Sequence, residues 1–368
     1  MKTLRRFIHR EALVAVGFVT AGFLALFFFF DLVDELRWVG RAGANAYQLP
    51  HALLFVVLSI PSHLYELLPI TVLIGTIFVM ARLAQSSEFT IMRTSGLGPW
   101  RALRTLLTLG GFFVVLTFAV GDYLAPLSDK AAQLVKAKYL GRLTTGATGA
   151  WLKERQDDRS FAVNVRALGA DGGMLGIRIF EFDANGRLSS QTRAASGRFA
   201  ADGAWKLASV ERSIFHRPNT DGAHLERLEV PSLQWATNIS ADMVAASVLK
   251  PDRMATLELF QYVRHLDANG QSAQRYEIEF WRKVFYPLSC LVMVVLALPF
   301  AYLHFRSGGI AGHVFGGVMA GISFFLLNNV FGYAGNLHQW SPWLTAAAPG
   351  LIYSMLSLAA LGWLVLRH

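Results

Sequence analysis

Charge is what this chain has least of. Only 16% of its 368 residues are charged, against about 25% in an average soluble protein. The charges are also unevenly placed: residues 122–283 hold 22 Lys+Arg and 19 Asp+Glu, and the other 206 residues share 18. That distribution excludes a single globular domain. Cysteine is nearly missing as well. Cys290 is alone and lies in an apolar run, so no disulfide staples the charged segment, which depends on its own apolar core or on neighbours. Catalytic signatures are thin. No Gly-x-x-x-x-Gly-Lys-Ser/Thr phosphate loop occurs, so the chain does not hydrolyse ATP by that route, and no His-Glu-x-x-His is present. His304 and His313 flank a turn without carboxylate or thiol companions, so no metal site is assigned. One Ser-x-x-Lys, Ser247–Lys250, lacks the companion Ser-Asp-Asn and Lys-Thr-Gly of penicillin-binding nucleophiles.

What the chain has in place of charge is long apolar text. Crossing roughly 30 Å of hydrocarbon at about 1.5 Å per residue takes about 20 mostly apolar residues. Charge-free runs of this kind are Ala12–Phe30, Leu67–Ala81 (extendable upstream past Glu66), Thr105–Gly121, Val284–Leu303, Val314–Asn336 and Trp343–Leu366. They predict six spans in two groups of three. The first is too long and too aromatic for a cleaved signal sequence, and no small-residue cleavage site follows it. Orientation follows from the short flanks. Lys2, Arg5, Arg6, Arg10, Arg82, Arg93, Arg101, Arg104, Arg306 and Arg367 share one side with only Glu11 and Glu88. Both termini are therefore expected in the cytoplasm and the large insert outside. Most of the net charge of +9 sits on those flanks, where it fixes topology, so it is no argument for a nucleic-acid partner. The expected organisation is residues 1–121 with three spans and an inside loop at 82–104, an external domain at 122–283, and three spans in 284–368.

Within the external domain the period changes to that of strands. Phe161–Val165 and Met174–Phe182 are short β-type runs, and the turn signals Asp183-Ala-Asn-Gly186, Asp202-Gly203 and Asp221-Gly222 follow them. Arg187–Ala200, Ala204–His216 and His224–Gln234 read as further strands. The expectation is an antiparallel β part at about 150–237, a sandwich or an open roll. A helical connector at 251–283 follows, with Leu257, Phe260, Val263 and Leu266 on one face of Ala255–Leu266 and a stop near Asn269-Gly270.

The inside loop admits two readings. A helix of about ten residues fits before Ser95-Gly96 and Gly98-Pro99 break it, with Glu88 and Met92 on one face and Phe89 beside them. Such a helix, with one acid and exposed apolar side chains, would plug into a groove on a partner. Alternatively the loop is a solvated turn whose arginines set topology. Smaller signals read as structure: Gly308, Gly312, Gly316, Gly317 and Gly321 suit close helix packing, Asn328 and Asn329 suit hydrogen bonds across helices, and Glu66 an interfacial charge.

That loop, with Tyr65-Glu-Leu-Leu-Pro69 and Gly75, resembles the loop between the second and third spans of the lipopolysaccharide export permeases (the YjgP/YjgQ family, LptF and LptG). Val33-Asp34, Ala125-Pro126, Trp151-Leu-Lys153 and Trp281-Arg-Lys283 through Pro287 extend the likeness along almost the whole chain, and of the two branches it looks more like LptG. The resemblance implies a multi-pass protein of the bacterial inner membrane, with six transmembrane helices and an inserted periplasmic antiparallel β domain, a β-jellyroll. It implies a non-catalytic permease subunit that works with a paired, LptF-like permease and a cytoplasmic LptB-like ATPase dimer, which binds the ATP and Mg. Lipopolysaccharide would leave the outer leaflet for a periplasmic bridge, with LptC- and LptA-like partners. Glu88 matches the acidic position of the family's coupling helix, with Phe89, Met92 and Arg93 around it. Lipid A phosphates need cations at the outer membrane edge, and the candidates are Arg37, Arg41, Lys130, Lys136 and Lys138. Asp31 and Trp38 depart from the basic run of one relative, so divalent ions bridging Asp31 or Asp34 to phosphate are conceivable. The alternatives are a non-transporting envelope scaffold and, less favoured, an intramembrane enzyme using Ser247.

Overall fold

The computed structural model describes residues 2–40, 47–96, 98–140, 149–156, 158–168, 173–200, 204–219, 222–240, 243–244, 251–302 and 310–367. Two compact units emerge. One comprises Met1–Asp34, Ser59–Ser128 and Gln274–His368, the other Glu35–Leu58 and Asp129–Ala273. Ser247–Lys250, Arg41, His304, Gly308 and the Asp202-Gly203 turn lie outside the described residues, as does Asp221.

Among the described residues six helices are long and apolar enough to cross a membrane: Thr3–Leu36, Leu49–Gln85, Pro99–Lys136, Gln274–Ala301, Ala311–Leu337 and Pro342–Trp363. The first two are α1 (Lys2–Leu36) and α2 (Leu49–Gln85), and a short α3 (Glu88–Thr94) follows. The third begins as α4 (Pro99–Ala119), loosens into a π turn at Val120–Leu124, and continues as α5 (Ala125–Leu140). Pro126 explains the loosening: it has no N–H to donate, and its ring would crowd the carbonyl four residues back. The Ala125 N–H accordingly reaches back to the Val120 carbonyl.

The fourth span is broken where prolines interrupt the hydrogen-bond ladder. It runs as α7 (Gln274–Phe285), a 3₁₀ turn Tyr286–Leu288 holding Pro287, α8 (Ser289–Ala297), and a second 3₁₀ turn Leu298–Ala301 holding Pro299. α7 begins upstream of the apolar run because its charges are partnered. Arg282 donates to the Asn328 carbonyl at 2.7 Å and to Asn329 Oδ1 at 3.2 Å, and Lys283 Nζ to the Gly121 carbonyl at 2.9 Å. The last two spans are α9 (Ile310–Leu337) and α10 (Pro342–Arg367). The expected bonding at Asn329 is thus met by an arginine.

In this unit α1 buries a single stripe at four-residue spacing, Ile8, Ala12, Val16 and Thr20. The stripe lies on α2: Thr20 Oγ1 donates to Thr71 Oγ1 at 2.9 Å, and a Cβ at Gly75 would stand 2.7 Å from the Val16 backbone. Gly317 and Gly321 lie on α2 in the same manner, against the methyls of Ile77 and Ile70. Among the described residues Gly312 and Gly316 meet nothing within 4 Å, so the close packing shown within the bundle is that of Gly317 and Gly321.

The second unit carries a six-stranded antiparallel sheet in sequential order, β1 (Ala150–Gln156), β2 (Arg159–Leu168), β3 (Met174–Phe182), β4 (Leu188–Phe199), β5 (Ala204–Asn219) and β6 (Gly222–Ala236). Alternate residues such as Leu152, Val163, Ile179, Ala194 and Leu207 supply its core, around a fully buried Trp205 whose Nε1 donates to the Ile239 carbonyl. The Asp183–Gly186 turn forms as the sequence predicts: Asp183 Oδ1 accepts the N–H of Asn185 and of Arg187, and Gly186 takes φ +73°. The buried Glu154 and Glu181 are satisfied locally, Glu154 by Thr237, Gln156 and the Asn238 N–H, Glu181 by Arg159, Arg212 and Ser190.

The helical connector requires a correction. Helix α6 (Thr256–Ala268) ends at Asn269-Gly270 as expected, but its buried residues are Leu259, Tyr262 and Leu266. Leu257 and Phe260 are exposed. Two apolar stripes coexist on this helix, and packing within the unit selects the one that includes the aromatic Tyr262.

Candidate functional site

Three left-handed or extended residues set α3 apart from its neighbours. Ser87 takes φ +58° and ends the run from α2, Gly96 takes φ +97° after the helix, and Gly98 is extended before Pro99 opens α4. Arg101 closes the turn by donating to the Gly96 carbonyl at 2.9 Å.

The seven residues of α3 are sharply two-sided. Phe89 and Met92 are buried in the core formed with α1, α2, α4 and α8. This corrects the expectation of outward apolar side chains, because three-residue spacing puts both on the face that rests on the bundle. The exposed apolar residue is instead Ile91, 63% accessible. Tyr302, just beyond the second 3₁₀ turn, meets the inner face. Its ring stands 5.0 Å from that of Phe89, edge to face, and the Arg93 guanidinium lies 5.0 Å over it. Glu88 opens the helix, half-buried. Among the described residues its carboxylate has no hydrogen-bond or ion-pair partner.

Of the cations expected at the outer edge, the described residues show three side chains, Arg37, Lys130 and Lys136. Arg37 is exposed, Arg41 lies outside the described residues, and so does the side chain of Lys138. Lys130 is paired with Glu258, and Lys136 Nζ stands 3.0 Å from the buried Glu35 carboxylate. Lys136 also lies 4.6 Å from the Phe55 ring and 5.4 Å from that of Trp38. Tyr47 completes this cluster, donating to Glu35 at 2.8 Å; burial and the Glu35 charge push its phenol up. Asp31 is engaged by His63 at 2.6 Å. Among the described residues no group of three or more His, Cys, Asp or Glu side chains is placed to hold a metal ion. Tyr302, Glu35, Tyr47 and His63 escape a sequence reading, since nothing in the text joins residues so far apart.

Family comparison decides what this arrangement belongs to. The family model for the lipopolysaccharide export system permease LptF/LptG matches residues 6–366. The chain belongs to the LptF/LptG family. The lipopolysaccharide export system permease protein LptG of Escherichia coli (strain K12) is 29% identical over 367 residues, covering 99% of this chain and 98% of that protein. Its namesake in Haemophilus influenzae is 28% identical over 375 residues, covering 100% and 99%. An LptF/LptG permease is a multi-pass membrane protein, and the six long helices with a sheet inserted after the third accord with that.

Proposed function

We propose that this chain is the transmembrane permease subunit of an ATP-driven lipopolysaccharide exporter in a bacterial inner membrane. Both termini and α3 face the cytoplasm and the sheet faces the periplasm, as the basic short flanks favour. ATP and Mg belong to an LptB-like ATPase dimer. An LptF-like permease pairs with this one, and LptC- and LptA-like proteins take the lipopolysaccharide onward.

One observation carries the docking part of this reading: among the described residues the half-buried Glu88 carboxylate has no hydrogen-bond or ion-pair partner, on a helix that Phe89 and Met92 anchor in the bundle. A helix so seated offers a groove on the ATPase Glu88, Ile91 and the flank of Arg93, while Phe89 and Met92 hold the helix on the spans. An acid half-desolvated at an interface and met by a base is worth enough to fix register and partner choice. At the periplasmic edge, Arg37 is an exposed cation for lipid A phosphates, with Arg41 close after it in sequence and Lys138 a further candidate. Lys130 and Lys136 reach a phosphate only by leaving Glu258 and Glu35.

Reconstitution with the partner permease and ATPase in lipopolysaccharide-loaded liposomes tests the reading. ATP-dependent release of lipopolysaccharide is expected, and Glu88→Lys should lower ATPase co-purification by about tenfold or more. Release without ATP, or none with a complete complex, favours the scaffold. Full co-purification of the Glu88→Lys protein removes Glu88 from the docking site.

A further inference from the structure

A helix that docks a motor protein must hand its displacement to something. Phe89 and Met92 are buried in a core shared by several helices, where most contacts are non-directional dispersion. The contacts to Tyr302 are of another kind. Its ring is held edge to face by Phe89 and covered by the Arg93 guanidinium, both at 5.0 Å. Aromatic pairs and cation–π pairs each favour particular placements, so two of them at once fix the ring in more than one direction. Phe89 and Arg93 lie one helical turn apart, at both ends of the inner face of α3, so the ring reports translation and rolling of that helix alike.

Tyr302 is only 4% exposed and belongs to the end of the fourth span. Its N–H is bonded to the Pro299 carbonyl at 3.0 Å, which ties it to the 3₁₀ turn Leu298–Ala301. Leu298 of that turn, with Cys290 and Val294 before it, packs in the same core as Leu106, Leu109 and Phe113 of α4. Pro287 and Pro299 break the span on both sides of α8, so a push at Tyr302 acts on a short, separately bonded segment.

We propose that Tyr302, gripped between Phe89 and Arg93, is the positioning residue through which movement of α3 reaches the cytoplasmic end of the fourth span. The inference rests on the reading that α3 docks the ATPase. It assigns Tyr302 no contact with nucleotide, ATPase or lipopolysaccharide; its ring converts movement of the docked helix into movement of the bundle.

The test uses the reconstituted complex and three readouts: ATPase retained, ATP hydrolysed, and lipopolysaccharide released per ATP by assembled complexes. Tyr302→Met keeps the volume and loses the ring. It should retain the ATPase and release about three- to tenfold less lipopolysaccharide per ATP, the range that losing such a pair permits. Tyr302→Phe, which keeps the ring, should restore most of the yield. Arg93→Met removes the cation from the other side of the contact and should lower the yield per ATP in the complexes that assemble, which decides the matter if Tyr302→Met does not reach the membrane. An unchanged yield in both methionine variants overturns the inference, as does a Tyr302→Phe protein as impaired as Tyr302→Met. Loss of the ATPase from Tyr302→Met complexes overturns it too, because the ring would then merely shape the docking surface. Glu88→Lys, measured alongside, reports separately on docking: if that variant keeps its ATPase, the docking reading fails whatever Tyr302 does.

Discussion

Lys136 and Glu35 are 101 positions apart in the chain and 3.0 Å apart in the fold. The Glu35 carboxylate is almost fully buried and takes a second hydrogen bond from Tyr47. A cation expected to stand ready for a phosphate is thus the counterion of a buried acid. Lys136→Met should cost about 2 kcal/mol or more by leaving that acid uncompensated, while Lys136→Met with Glu35→Leu should recover most of the loss. Thermal unfolding of the purified protein checks this. If lipopolysaccharide crosslinking at the neighbouring Arg37 persists in the stable double variant, Lys136 is structural; if it disappears, Lys136 also serves the substrate.

Phe89 and Ile91 should behave oppositely although they are two residues apart. Phe89→Ala opens the core and should cost about 3–5 kcal/mol. Ile91→Ala removes an exposed side chain and should shift stability by about 0.5 kcal/mol or less. The same Ile91→Ala protein should bind the ATPase more weakly, which pull-down against a fixed amount of ATPase would measure.

Gly75 is a place where two helices touch through backbone. A methyl there would press on the Val16 main chain, which has no rotamer to give way, so Gly75→Ala should destabilise by about 1–3 kcal/mol. Gly312→Ala meets nothing among the described residues and should leave the melting temperature of the isolated subunit unchanged. A Gly312→Ala protein that is stable alone but fails to pair with the second permease would assign that face to the partner.

His265, on the connector helix α6, gives a pH-dependent term. Burial holds its pKa below the ordinary 6.5, and the nearby Glu154 charge offsets this in part. The unfolded chain therefore binds the proton more readily, so the folded state gains stability as pH rises toward 6.5 and loses it as pH falls below. Urea unfolding at about pH 7.5 and about pH 5.5 should show a smaller drop for His265→Gln than for the parent protein.

Much of the membrane part was legible because hydrocarbon tolerates so few sequences. Charge-free runs located all six spans, and Asp183–Gly186 announced its own turn through the one glycine able to take positive φ there. What stayed illegible depends on contacts between distant segments. The stripe used by α6 was decided by Tyr262 over Phe260, and the inner face of α3 by the bundle beneath it. The pairing of Lys136 and of Lys130 with carboxylates requires elements that sequence spacing does not bring together. Strand order was equally hidden, since several sheets satisfy the same alternation.

That order has its own consequence. Every strand of the sheet pairs with the one just before it, so each hairpin closes over a short loop at small entropic cost. The sheet can assemble strand by strand as the chain is made. Its last core residues, Ile239 and Val244, come ahead of the fourth span. All residues of the β domain's core therefore precede the last three spans in the chain, so that core can form before those spans have been made.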